Sequence, residues 1–124
     1  MKKIYYESLE EAIERNRPNI SKVKSNLEKA GVKYVLSSWI DLHGIPKTKP
    51  VPMSDFEPLC LGKGPQFAVH SISFVPELTP ADPDQIPLPD LNAVYVCPWD
   101  KTLAIIFADL YWEGAPYNVC PRQA

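Results

Sequence analysis

No apolar run in this sequence approaches the length needed to cross a bilayer, so no membrane partner is expected. The opening MKKIYYESLEEAIE has Lys2 and Lys3 but no apolar stretch after them, which does not fit a secretory leader. Cysteine is scarce. Cys60, Cys97 and Cys120 are odd in number and lack CxxC spacing, which argues against a disulfide framework or a zinc ribbon. Reduced thiols in a cytoplasmic protein are the expectation. There is no HExxH pair, and His43 and His70 stand far apart without an acidic neighbour at ligand spacing, so no metal site is expected. Gly62-Lys63-Gly64 lacks the spacing and the Ser/Thr of a phosphate loop. Basic charge is thin: the net charge is −2, with residues 1–63 summing to +3 and residues 64–124 to −5. Neither half carries the dense basic patch of a nucleic-acid binder. Internal repeats and low-complexity tracts are also missing.

Proline is what the sequence has in excess, 14 in 124 residues, about twice ordinary usage. Proline fixes φ and removes a donor, so short elements and much ordered loop are expected. Ser8 to Glu11 reads as a capping box, predicting a short helix that ends before Pro18. Asn19 is placed to cap a second helix, with Ile20, Val23, Leu27 and Ala30 on one face and Gly31 as its stop. Residues 32–41, VKYVLSSWID, read as a strand, Leu42-His43-Gly44 as a turn, and residues 45–53 as the return of a hairpin. Pro46, Pro50 and Pro52 confine that return to an edge. Ser54 is placed to cap a helix stopped by Gly62. Residues 62–91 hold six prolines and predict one long loop, with strand character only at 67–75. Residues 93–97 and 103–112 read as strands; the second is apolar on both faces, as a central strand is. Glu113-Gly114 turns into a short last strand at 115–119. The order of elements makes an α+β domain: a small mixed sheet with a helix packed on one face.

Residues that could carry chemistry are few, and most have a plainer role. Cys60 reads as a buried thiol, His43 as a turn residue, and Asp82, Asp84 and Asp90 as a solvated acidic run. Lys47 and Lys49 share a strand face and read as edge protection against aggregation. Trp39, Trp99 and Trp112 are candidates for an exposed partner patch, with the core as the alternative for each. Taken together the residues describe a soluble domain with one long functional loop rather than a complete enzyme.

Four segments, in order, resemble the amino-terminal domain of the glutamine synthetase family and its γ-glutamylamide (glutamate–amine) ligase relatives. GVKYVLSSWIDLHGIPKTKPVP resembles the family's opening hairpin with its D-x-x-G turn, and GKGPQF its glycine–phenylalanine entry to the long loop. DPDQIPLPDLNAVYVCPW and LAIIFADLYWEGAPYNVCPRQA resemble the two later strand segments, the second ending on a P-R pair. The resemblance implies a β-grasp fold over residues 19–124, with residues 1–18 as an extension or short helix. It implies that the catalytic domain, which binds ATP, Mg or Mn ions and glutamate, is absent here. This chain would then hold no catalytic residue, metal site or ATP site and would be inactive by itself. Phe67, Ala68 and Ser71 are the implied substrate-loop residues, and the implied partners are the catalytic domain or neighbouring subunits of a ring-shaped homo-oligomer. Two departures stand out: Ala68 occupies the position of the family's ammonium-binding aspartate, and Cys120 that of its acid before the P-R pair. The alternative is a free-standing β-grasp binding module without catalysis.

Overall fold

A computed structural model describes residues 7–68, 79, 81–118 and 120–123. Helix α1 spans Leu9–Lys29 and is capped by Ser8, whose hydroxyl oxygen accepts the Glu11 N–H at 3.2 Å. Strands β1 (Tyr34–Ile40) and β2 (Pro46–Pro52) form a hairpin, followed by a 3₁₀ turn at Met53–Asp55 and the short helix α2 (Phe56–Cys60). Strands β3 (Ile86–Val96) and β4 (Leu103–Trp112) form a second hairpin, and β5 (Ala115–Pro116) pairs with β4. The sheet order is β2-β1-β4-β3. Among the described strands β1 and β4 run parallel, Tyr34 opposite Leu103, and the other pairs are antiparallel. The fold is thus the expected α+β arrangement, with β4 in the interior and the proline-bearing β2 at an edge.

Burial alternates along β4: Ala104, Ile106, Ala108 and Leu110 are fully buried and the residues between them half-buried. Val35, Ala104 and Ile106 meet Ile20 and Leu27 of α1 and Phe56, Leu59 and Cys60 of α2 in the main core. Each such large side chain contributes about 1.5–3 kcal/mol when fully buried. At the other end of the same face, Trp39 and Leu110 are covered by Phe67, Tyr117 and Cys120 instead of by a helix.

Several elements depart from the sequence expectation. The two helices split at Pro18 are one helix, with Pro18 inside it. Ala12, Asn16, Ile20 and Leu27 keep one buried stripe in phase across the proline, which itself is exposed. Glu14, whose carbonyl loses its helical partner, is an exposed residue, so packing on the opposite side outweighs the break. Ser54 caps nothing, because the chain enters α2 through a 3₁₀ turn that has no side-chain cap.

Strand β3 begins at Ile86 rather than near residue 93, which shortens the long loop; residues 69–78 and 80 of that loop, where its strand character was expected, lie outside the described residues. Pro87 and Pro89 are tolerated in β3 because it is the other sheet edge. The Pro89 carbonyl accepts from Asn16 Nδ2 at 3.1 Å, so the outward side of Pro89, and of Pro87 two residues before, faces away from β4. Between Pro89 and Val94 the register shifts in a bulge. Asn16 also donates to the Cys60 carbonyl at 3.2 Å and so ties α1 to α2 and β3 at once. Strand β1 starts two residues later than expected, and the last strand is only a two-residue bridge.

Candidate functional site

The long loop leaves the domain at Phe67 and returns at Gln85, and these two residues form an antiparallel bridge. Phe67 N–H donates to the Gln85 carbonyl at 3.3 Å and Gln85 N–H to the Phe67 carbonyl at 2.8 Å. The approach to this bridge is tight. A Cβ on Gly64 would come within 2.6 Å of Leu59 Cδ1 and 3.1 Å of Leu59 Cα, so a larger residue there would force the fully buried Leu59 to shift. The Phe67 ring stacks on Trp39 with centroids 4.1 Å apart and planes at 11°. Lys49 Nζ lies 5.9 Å from the ring centroid and donates to the Gln66 carbonyl. The returning arm is held as well, by Trp112 Nε1 donating to the Pro83 carbonyl at 2.9 Å and by the Asp82 carboxylate accepting the Thr79 N–H at 2.7 Å.

Of the three loop residues named from sequence, Phe67 is thus buried in a core cluster, as an anchor rather than a group facing a ligand. Ala68 is half-buried and is the first residue past the anchor. Ser71 lies outside the described residues. Trp39 and Lys49 are the site residues that the sequence reading assigned elsewhere. Trp39 is 4% exposed and belongs to the core, not to a partner patch. Its alternation with Val35 on β1 was the available signal. Trp112 is half-buried over Tyr117, and of the three tryptophans only Trp99 stands out, 74% exposed.

The hairpin turn beside this site is built on Asp41. Its Oδ1 accepts the N–H of both His43 and Ile45 at 2.9 Å, Gly44 takes the left-handed φ of +76°, and Lys47 Nζ lies 3.4 Å from Oδ2. The Ile45 N–H holds the Asp41 carboxyl below its ordinary range; burial opposes this, and the His43 N–H and Lys47 add to it. Lys47 is therefore a turn partner and Lys49 a loop-base clamp, beyond the edge-protection role expected of them.

Nucleophilic chemistry is not supported at Cys60. Burial, then the neighbouring Glu57, pushes its thiol up to about 12, and Cys97 and Cys120 are buried too. Among the described residues no group of three His, Cys, Asp or Glu converges as a metal site. Asp90 is not simply a solvated loop acid. Arg122 reaches it at 2.7 Å and Asp109 at 2.9 Å, fastening the segment after Cys120 to β3 and β4. What the described residues provide at this site is a loop base pinned by the Phe67–Gln85 bridge and by the Trp39 and Lys49 side chains.

No protein-family model matches the chain. Among curated proteins it is 40% identical over 92 residues to a glutamine synthetase of Rhizobium meliloti, a match covering 74% of this chain and 20% of that one. It is 29% identical over 104 residues to a glutamate–methylamine ligase of Methyloversatilis universalis, covering 82% and 23% respectively. A glutamine synthetase of Rhizobium leguminosarum is 33% identical over 91 residues, covering 73% and 20%. Among solved structures, GmaS without ligand superposes with a TM-score of 0.73 at 28% identity, over 81% of this chain and 23% of that one. A GmaS/ADP complex gives the same score and identity over 82% and 23%. The chain therefore spans about a fifth of the length of the curated relatives it matches.

Proposed function

We propose that this chain, similar over most of its length to a glutamine synthetase and to GmaS, is the amino-terminal β-grasp domain of that family and serves an ATP-dependent glutamate–amine ligase as the domain presenting a substrate loop and making subunit contacts. The observation that carries the reading is the loop base. The family-like glycine–phenylalanine entry coincides with a pinned, aromatic-clamped exit from the sheet at Phe67. A loop that must reach a partner's active site needs a base that does not shift. The catalytic domain, of the same subunit or of a neighbour in a ring, would supply the nucleotide, the Mg or Mn ions and the glutamate. The working place of the whole protein would be the cytoplasm.

Within this reading, Ala68 and Ser71 stand on the loop where the amine is bound. A carboxylate at position 68 would hold ammonium by charge and help take up its proton, whereas an alanine does neither and leaves space for an alkyl group. Ser71 would keep a polar contact. The parent ligase is expected to favour methylamine over ammonia, and Ala68→Asp to shift the kcat/KM ratio toward ammonia by about tenfold, the equivalent of one added charge-assisted contact. Steady-state kinetics on the full-length enzyme with both amines decides the matter. A parent that already prefers ammonia, or a ratio indifferent to the aspartate, removes position 68 from the amine site.

A further inference from the structure

A second site of a different kind lies where α1 meets β3, independent of the ligase reading. A cleft of about 210 Å³ opens between α1 and the β3 bulge. Arg15, Asn19, Lys22 and Asn26 line it at spacings of four, three and four, which sets them along one face of the helix. The bulge contributes Asp90, Leu91 and Asn92. Asparagine is a poorer helix former than alanine by up to about 0.7 kcal/mol, so helix formation does not explain this stripe.

The hydrogen-bonding capacity of the cleft is unevenly used. Its one carboxylate is committed: Asp90 Oδ2 holds Arg122 at 2.7 Å and Oδ1 accepts the Asn92 N–H at 3.0 Å. Arg15 at the rim is paired with Glu7. Asn16 on the floor, 3% exposed, spends both amide hydrogens on the Cys60 and Pro89 carbonyls and so fixes the cleft's depth. Lys22 has no carboxylate partner among the described residues, and the carboxamides of Asn19, Asn26 and Asn92 make no hydrogen bond within the described chain. A cation and three uncommitted amides thus converge on a cleft whose acid is paired with an arginine that it shares with Asp109.

We propose that the cleft between α1 and the β3 bulge binds a small oxyanion, with Lys22 supplying the charge and the Asn19, Asn26 and Asn92 amides donating to its oxygens. Carboxylates and phosphates share this chemistry. The test is a titration of the ¹⁵N-labelled chain, watched by two-dimensional NMR, with sodium phosphate in one arm and sodium glutarate in another. Sodium chloride at matched ionic strength is the control. Saturable shifts of the Asn19, Asn26 and Asn92 side-chain amides are expected in at least one arm, and the arm that saturates identifies a phosphoryl or a carboxylate source. Lys22→Gln, at an exposed position, should keep the dispersion of the spectrum and weaken binding about five- to tenfold, the loss of one charge-assisted contact. Lys24→Gln, whose lysine is paired with Glu28 outside the cleft, should bind as the parent does. Shifts that never saturate, that chloride reproduces, or that ignore Lys22→Gln overturn the proposal.

Discussion

Phe67 shows how one side chain can matter to function without touching a ligand. Its ring fills the space between Trp39 and Lys49, and its backbone closes the loop against Gln85. Phe67→Ala would remove the ring and leave a cavity against Trp39, at a cost of about 3–5 kcal/mol in urea unfolding. A loss below about 1 kcal/mol would mean that the stack adds little. Asp41 is the second residue whose environment makes a measurable demand. Its folded pKa lies below the ordinary value of 3.8, so it adds stability when the pH is above that value. This contribution is lost as pH falls through the depressed folded value. Asp41→Asn is expected to be less stable than the parent at neutral pH, with the gap closing on acidification through the carboxylate range. Parallel unfolding curves from pH 7 to pH 2 check this, and a gap that stays constant with pH would assign the loss to geometry rather than charge.

At the scale of elements, α1 makes a further prediction. Proline in a helix interior costs about 3 kcal/mol, and its restriction of the unfolded chain returns only about 0.4–1 kcal/mol. Pro18 is exposed, on the side of α1 away from its buried stripe. Pro18→Ala is therefore expected to raise stability by about 1–3 kcal/mol, read as a higher urea midpoint with an unchanged slope. A lower midpoint would show that α1 needs its proline. The same helix shows what the sequence made legible and what it hid. The Ser8 cap, the Ile20–Leu27 stripe and the end of the helix were all readable as local chemistry. Its continuity through Pro18 was not, because it depends on Asn16 reaching Cys60 and Pro89, 44 and 73 residues away in sequence. Strand β3 was cut short for the same reason: Pro87 and Pro89 read as breakers until the sheet order places them at an edge. By contrast β4 could be recognised as an interior strand from its apolar pattern. At the loop base, the glycine and Phe67 could be read from sequence, but the partners Trp39, Lys49 and Gln85 come from three separate segments and emerge only on folding.

At the scale of the molecule, among the described residues, the helices and the Phe67 cluster pack mainly on one face of the sheet, with Ala12 of α1 also meeting Leu88 and Tyr111. On the other, Tyr34 is 48% and Tyr95 58% exposed, Tyr95 standing 6.4 Å from the Phe107 ring, and Trp99 projects from the β3–β4 turn. Exposed aromatic surface of this kind commonly marks a partner face. The 124-residue chain is expected to self-associate as concentration rises, and Tyr95→Lys combined with Trp99→Ser to suppress that association. Sedimentation velocity across a concentration series reads both, and a parent that stays monomeric at high concentration removes this face from consideration.

The bridge between Phe67 and Gln85 has one further consequence, for how such a domain can change over evolutionary time. Because the two ends of residues 68–84 are stitched together by backbone hydrogen bonds, the sheet is affected by whether the stitch holds and little by what lies beyond it. The entropy of closing such an excursion grows only with the logarithm of its length, so doubling it costs about 0.6 kcal/mol. The length of the excursion is thereby uncoupled from the pairing of the sheet, so an insertion between the stitches is expected to cost the scaffold little as long as Trp112 still holds Pro83.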